Sequence, residues 1–245
     1  NSQVVNRQDG FTDYRRPNTG AEGWDPRRAA SFGERVLLPQ LNWHDESRMV
    51  LCYQVARSGM TIGVGVDHSI ETANPYESVT STEDDIGKLA YRIEAHQGVP
   101  IVVRKVVVYQ TSRGVPASEL NDRCRRTLDR VAEWGFAHYY ARQREWLDEF
   151  WLNADVETGG QPGIQQAVRW CLFQLAQAAA RSDGLGIPAK GVTGSGYEGH
   201  YFWDTEIYLV PFLIYTSPRV ARNALRFRVN LLPQARERAA VMSQR

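Results

Sequence analysis

The spacing of hydrophobic and polar positions changes character twice along the chain. Residues 1–47 show little periodicity and many turn formers, such as Arg16-Pro17-Asn18-Thr19-Gly20 and Trp24-Asp25-Pro26. They read as irregular chain with one or two short strands. From Arg48 the texture becomes apolar and β-branched. Met49–Val55 and Met60–Val66 are separated by Ser58-Gly59 and predict a hairpin. Lys88–Ala95 alternates apolar and polar residues, Gln97-Gly98 marks a turn, and Val99–Tyr109 is the strongest strand signal. These two segments predict a second hairpin. Short strands joined by short turns point to an antiparallel sheet or sandwich.

After Pro116 the period lengthens. Ser118 is the expected helix N-cap, with Glu119 near the positive end of the dipole. Leu120, Cys124, Leu128, Val131 and Ala132 recur at helical steps, and the pattern runs on to Phe150 with a break expected near Gly135. Arg123, Arg125, Arg126 and Arg130 are interleaved with Asp122, Asp129 and Glu133, the pattern of a solvated face. Asp155–Pro162 reads as a loop. Ile164, Ala167, Val168, Cys171, Leu172, Leu175, Ala176 and Ala179 then follow the template of a helix with one buried face. A glycine-rich stretch over 184–199 leads into Tyr201–Glu206, and Ile207–Tyr215 and 218–245 read as further helices.

Composition adds limits. Hydrophobic residues are 42% and charged residues 23% of 245, which excludes a disordered or fibrous chain. A formal net charge of +1 argues against a broad nucleic-acid or anionic-membrane footprint. Apolar runs fall short of the roughly 18 residues that span a bilayer, and no basic-then-apolar leader is visible. Cys52, Cys124 and Cys171 are odd in number and widely spaced, so buried free thiols in a reducing cytoplasm are expected. His44, His68, His96 and His138 have no partners at ligand spacing, and no metal site is expected. Because the chain starts at Asn1 and stops at Arg245 within a helical pattern, it reads as part of a longer protein.

Candidate chemistry concentrates late in the chain. Gly194-Ser195-Gly196-Tyr197-Glu198-Gly199 matches G-x-G-x-x-G literally. No strand feeds it and no acidic residue follows at the required distance, so it does not predict a dinucleotide site. Ser195 lacks a full nucleophile elbow. The segment from Tyr197 to Glu206 sets Tyr197, His200, Tyr201, Phe202 and Trp203 beside Glu198, Asp204 and Glu206. Aromatic planes stack on the C–H faces of sugars, and carboxylates grip their hydroxyls. The same composition also fits a helix start wedged into a core, with Asp204 as its N-cap. Both readings stand on composition alone.

The run Ile187–Glu206 closely resembles the signature of glycoside hydrolase family 65, which includes trehalose, maltose and kojibiose phosphorylases and acid trehalases. The likeness continues through Pro211-Phe212, Tyr215–Pro218 and Arg228–Ala235, and extends back through Gln166–Trp170 and Trp146–Trp151. It reaches more faintly to Val5–Asp9 and Asp25-Pro26-Arg27. The resemblance implies a multidomain α+β protein. Its antiparallel β-sandwich portion (1–112) would precede a helical linker (113–157) and the first helices of an (α/α)6 barrel (158–245). It further implies that Trp203 and Asp204 bind the glucosyl unit, with Tyr197, His200, Phe202 and Glu206 in support. Ser195 stands where many members have an acidic residue.

The family's general acid falls beyond Arg245, so no catalytic residue is expected within the chain, and the chain alone is expected to be inactive. The implied reaction is inverting phosphorolysis of an α-glucosyl disaccharide, with inorganic phosphate as co-substrate and no cofactor. The alternatives are hydrolysis, which needs a second carboxylate roughly 6.5–9.5 Å from the first, and a non-catalytic sugar-binding module. The expected partner is the disaccharide, with neither nucleic acid nor membrane, and a homodimer of the full-length enzyme is allowed.

Overall fold

The computed structural model describes residues 1–6, 9–10, 34–56, 58–113, 115–179, 184–189, 191 and 201–241. Two compact units divide the described residues between Tyr139 and Tyr140. The strands are β1 (Ser2–Val5), β2 (Asp9–Gly10), β3 (Glu34–Arg35), β4 (Leu37–Asp45), β5 (Arg48–Val55), β6 (Met60–Glu71), β7 (Tyr76–Glu83), β8 (Ile86–Ile93) and β9 (Val102–Arg113). They form a three-stranded sheet ordered β1-β8-β7, a four-stranded sheet ordered β4-β5-β6-β9, and the short pair β2-β3, all antiparallel. The helices are α1 (Ala117–Ala154), α2 (Pro162–Ala178), α3 (Val210–Thr216), α4 (Pro218–Asn230) and α5 (Leu232–Val241). Antiparallel sheets followed by helices are thus the observed architecture.

The core of the first unit is built on both sides of β5. Met49, Val50, Leu51, Cys52 and Tyr53 are all buried, so neither face of that strand meets water. Met49 packs with Val66 and with Leu89 of the three-stranded sheet. On the opposite face, Val50, Cys52 and Val108 pack against Leu120, Cys124 and Leu128 of α1. The close approach of α1 is made by glycine on β6. A Cβ on Gly65 would lie 2.9 Å from both the Cys124 Cβ and the Val108 Cγ2, and one on Gly63 would lie 3.2 Å from the Cys124 Sγ. Burial pushes the thiols of Cys52 and Cys124 up to about 12 and about 11, so both stay protonated.

Several sequence expectations need correction. Residues 37–45 form a nine-residue strand, longer than the one or two short strands expected amid irregular chain over 1–47. Pro39 is tolerated because β4 is an edge strand with a register shift between Pro39 and Leu41. The first predicted hairpin is present as β5 and β6, but the second is not. β8 pairs with β7 and β1, whereas β9 pairs with β6 in the other sheet. The stretch Gln97-Gly98-Val99-Pro100 therefore carries the chain from one sheet to the other. The true hairpin partner of β8 is β7, whose Ser, Thr and Glu residues hide it from a search for apolar alternation.

Helix α1 begins at Ala117, so Ser118 lies inside it and is not its cap; the Leu120 amide reaches the Pro116 carbonyl at 3.3 Å. Gly135 does interrupt α1, at φ 71° and ψ 167°. The arginines of α1 lie on a charged face as expected, with Arg123 2.9 Å from Glu119 and Arg125 set 4.4 Å over the Trp43 ring. In α2, Leu172 and Ala176 are buried but Ile164 and Cys171 are exposed. Only two of the three thiols are therefore buried. Beyond α3 the helical stretch from Pro218 divides at Leu231, two residues before Pro233, which cannot donate to the preceding turn.

His68 is 5% exposed and held by both ring nitrogens. Its Nδ1 lies 3.1 Å from the Ser47 carbonyl and must donate, so Nε2, 2.7 Å from Ser2 Oγ, accepts. Burial is the main cause that lowers its pKa below 6.5; the Ser47 bond and Asp67 oppose that shift and Lys105 adds to it. A depressed folded-state value means stability is full above the unfolded value and is lost as pH falls through the folded one. The melting temperature is accordingly expected to decline on acidification below about pH 6.5, and His68→Gln should flatten that slope. Gly65→Ala should cost about 1–3 kcal/mol, read as a lower urea midpoint, because the backbone-anchored Cys124 Cβ cannot retreat.

Candidate functional site

The aromatic and acidic segment lies in the second unit, at the entry to α3. Residues Thr205–Leu209 form a π-helical turn, with the Val210 amide reaching the Thr205 carbonyl. The cause is Pro211: it lacks an N–H, and its ring would collide with the Ile207 carbonyl in a tight α-turn. Widening the turn relieves the clash. The Ile207 amide still reaches the Trp203 carbonyl at 3.0 Å, so Trp203 and Asp204 are the first residues of a helical ledge.

Thr205 anchors this ledge from below. It is buried, and its hydroxyl donates to the Ile187 carbonyl at 3.5 Å. Ile187 itself packs with Val210, Leu213, Ala221 and Ala224. Tyr201 meets Phe227 in a tilted contact with centroids 4.6 Å apart, and both rings press on Gly186, where an added Cβ would lie 2.6 Å from Phe227 and 2.7 Å from Tyr201.

Arg228, in the last turn of α4, ties the segment together. Its Nε and Nη2 donate to the two Glu206 carboxylate oxygens at 2.7 and 3.1 Å, and Nη2 also donates to the Phe202 carbonyl at 2.6 Å. The same guanidinium lies 5.2 Å from the centroid of the Trp203 ring. With side-chain exposures of 22% for Arg228 and 16% for Glu206, this pair is shielded from solvent and geometrically committed. One cation thus fixes the backbone before Trp203, the carboxylate after Asp204 and the indole between them.

Trp203 is 70% exposed despite that support. Asp204 is exposed as well, in right-handed helical conformation, and makes no side-chain capping bond. Trp203 and Asp204 thus lie outside the core that Thr205 enters, and Asp204 does not cap the helix through its side chain. Phe202 is half-buried and contributes its carbonyl, and Glu206 serves as the partner of Arg228. Tyr197, His200, Ser195 and the rest of 192–200 lie outside the described residues, as do Asp25-Pro26-Arg27. Arg228 was within reach of the sequence only as part of the family likeness. No local spacing ties it to Glu206, 22 positions earlier.

Arg228→Ala should lower stability by about 2–3 kcal/mol, since it leaves Glu206 half-buried and unpaired. Arg228→Lys should recover little of this, because an ammonium cannot fork between carboxylate and carbonyl. Thermal melts of the two variants, with Trp203 emission as a probe of the ledge, provide the check.

Among the described residues no helix is long and apolar enough to cross a membrane, and no group of three or more His, Cys, Asp or Glu side chains could hold a metal ion. Comparison with known proteins places both regions of the chain. Residues 3–150 match the glycosyl hydrolase family 65 N-terminal domain, and residues 169–245 match the glycosyl hydrolase family 65 central catalytic domain. The chain is 36% identical over 75% of its length to an alpha,alpha-trehalose phosphorylase of Thermoanaerobacter brockii, covering 24% of that protein. It is 30% identical over 84% of its length to a kojibiose phosphorylase of Halothermothrix orenii, covering 27%. An uncharacterized glycosyl hydrolase of Mycobacterium tuberculosis is 36% identical over 91% of the chain, which covers 28% of it. A solved structure named as a candidate kojibiose phosphorylase from the human microbiome superposes with a TM-score of 0.75 at 22% identity, over 89% of this chain and 29% of that one, and shares its fold. The chain spans about a quarter of the length of the curated relatives it matches. On the strength of these two adjoining domain matches, the chain belongs to glycosyl hydrolase family 65.

Proposed function

We propose that the protein containing this chain carries out inverting phosphorolysis of an α-glucosyl disaccharide, and that Trp203 and Asp204 hold the glucosyl ring. The observation that carries this reading is an exposed indole beside an exposed, uncapped carboxylate on a ledge that Arg228 makes rigid. An indole exposed to water costs free energy unless something apolar covers it, and the C–H face of a sugar does so. The adjacent carboxylate can accept from ring hydroxyls without first breaking an internal bond. The names of its relatives, trehalose and kojibiose phosphorylases, support a glucosyl-glucose substrate for this reading. Inorganic phosphate is then the attacking co-substrate, which suits a cytoplasmic enzyme, and a general acid outside this chain protonates the leaving sugar.

Hydrolysis is the second reading, kept because the Mycobacterium tuberculosis relative carries only the name of an uncharacterized glycosyl hydrolase. The two differ in whether phosphate or an activated water attacks the anomeric carbon. In the full-length protein, trehalose, kojibiose and maltose should each be tried with and without phosphate. Glucose 1-phosphate formed only with phosphate establishes phosphorolysis, and two free sugars formed without it establish hydrolysis. Under either chemistry, Asp204→Ala should lower kcat/KM at least about 100-fold, because it removes a charge-assisted bond that positions the reacting ring. Unchanged kinetics in that variant overturns the assignment of Asp204.

A further inference from the structure

The first unit contains a second concave site, independent of Trp203. Tyr76, Ser78 and Thr80 alternate along β7 and pair with Ile93, Tyr91 and Leu89 of β8. Directly paired residues share a face, and Leu89 is buried against Met49 and Val66 of the opposing sheet. The Tyr-Ser-Thr row therefore faces the space between the sheets. Val79 points the other way and is 69% exposed. Strand β7 thus turns hydroxyls, not aliphatic side chains, toward the space between the sheets, where a half-buried strand is ordinarily apolar. Such a breach of patterning is expected where a site is being built.

The space between the layers is a groove of about 570 Å³, within the usual range for small-molecule sites. Its lining includes His44, Glu46, Ser69, Tyr76, Ser78 and Tyr91. Tyr76 and Tyr91 meet edge to face with centroids 6.0 Å apart. Glu46 sits in the β4–β5 turn with φ 46°, a left-handed conformation uncommon for a residue with a side chain, and its carbonyl accepts from the Thr80 hydroxyl. Among the described lining residues there is no arginine or lysine, so the groove does not suit an anion.

We propose that this groove is a non-catalytic binding site for a neutral saccharide of one or two rings. The tyrosine pair covers the apolar face of a ring, while Glu46, Ser69 and Ser78 exchange hydrogen bonds with its hydroxyls. Aromatic surface, hydroxyls and a single carboxylate without a cation form the complement of a polyol.

The test uses the 245-residue chain carrying Trp203→Ala in every arm, so its result does not depend on the ledge. Saturation-transfer NMR with trehalose and with maltose should still detect bound sugar in that variant. Adding Tyr76→Ala, or Ser78→Val, which suits a strand and fills the groove, should reduce the signal at least about fivefold with melting temperature preserved. Inorganic phosphate should not compete. Loss of all sugar signal in Trp203→Ala overturns the proposal, as does full signal in both folded double variants or displacement by phosphate.

Discussion

The first unit depends on a single constraint, that strand β5 is covered on both faces. Met49, Leu51 and Tyr53 alternate with Val50 and Cys52, and all five are buried. One face needs a second sheet and the other needs a helix, so the layered arrangement follows from the burial of this one strand. The helix can lie close only because Gly63 and Gly65 of β6 leave a track free of side chains beneath Cys124 and Leu120. A methyl group there would press on backbone-anchored atoms, and well-packed interiors do not yield to that.

In the second unit the corresponding element is a cation. Arg228 satisfies both oxygens of Glu206 and the Phe202 carbonyl, and lies over the Trp203 ring. A solvent-shielded pair of this kind contributes modestly to net stability, because desolvation offsets much of the attraction. Its larger effect is geometric. It holds a tryptophan and an aspartate at the surface, where packing alone would draw the indole inward. The wide turn at Thr205–Leu209, imposed by Pro211, fits the same arrangement.

Both candidate sites were unevenly legible in the sequence. The Trp203–Asp204 ledge stood out because aromatic and acidic residues crowd one segment, and its likeness to a known family is local and contiguous. Arg228 did not, because the contact that matters is made across 22 positions. The groove beside Tyr76 left no sequence signal at all. Its residues come from four strands and the turn between β4 and β5, and β7 itself gives no apolar alternation because its inward face is hydroxylic. The same hydroxylic face is why sequence pattern suggests a hairpin between β8 and β9 that the structure does not form. With β7 hidden, the alternating run Lys88–Ala95 finds its nearest sequence partner in Val99–Tyr109.

What the chain determined by itself was periodic: which stretches extend, which coil, where Gly135 breaks a helix, and where chemistry-bearing residues crowd together. Those features arise between near neighbours, whose spacing is set by backbone geometry. Only the tertiary structure decided which sheet each strand joins, which thiols are buried, and that Trp203 faces water while Val79 points out and Ser78 points in. These are outcomes of competition among distant surfaces for burial, and no local window of sequence contains both competitors.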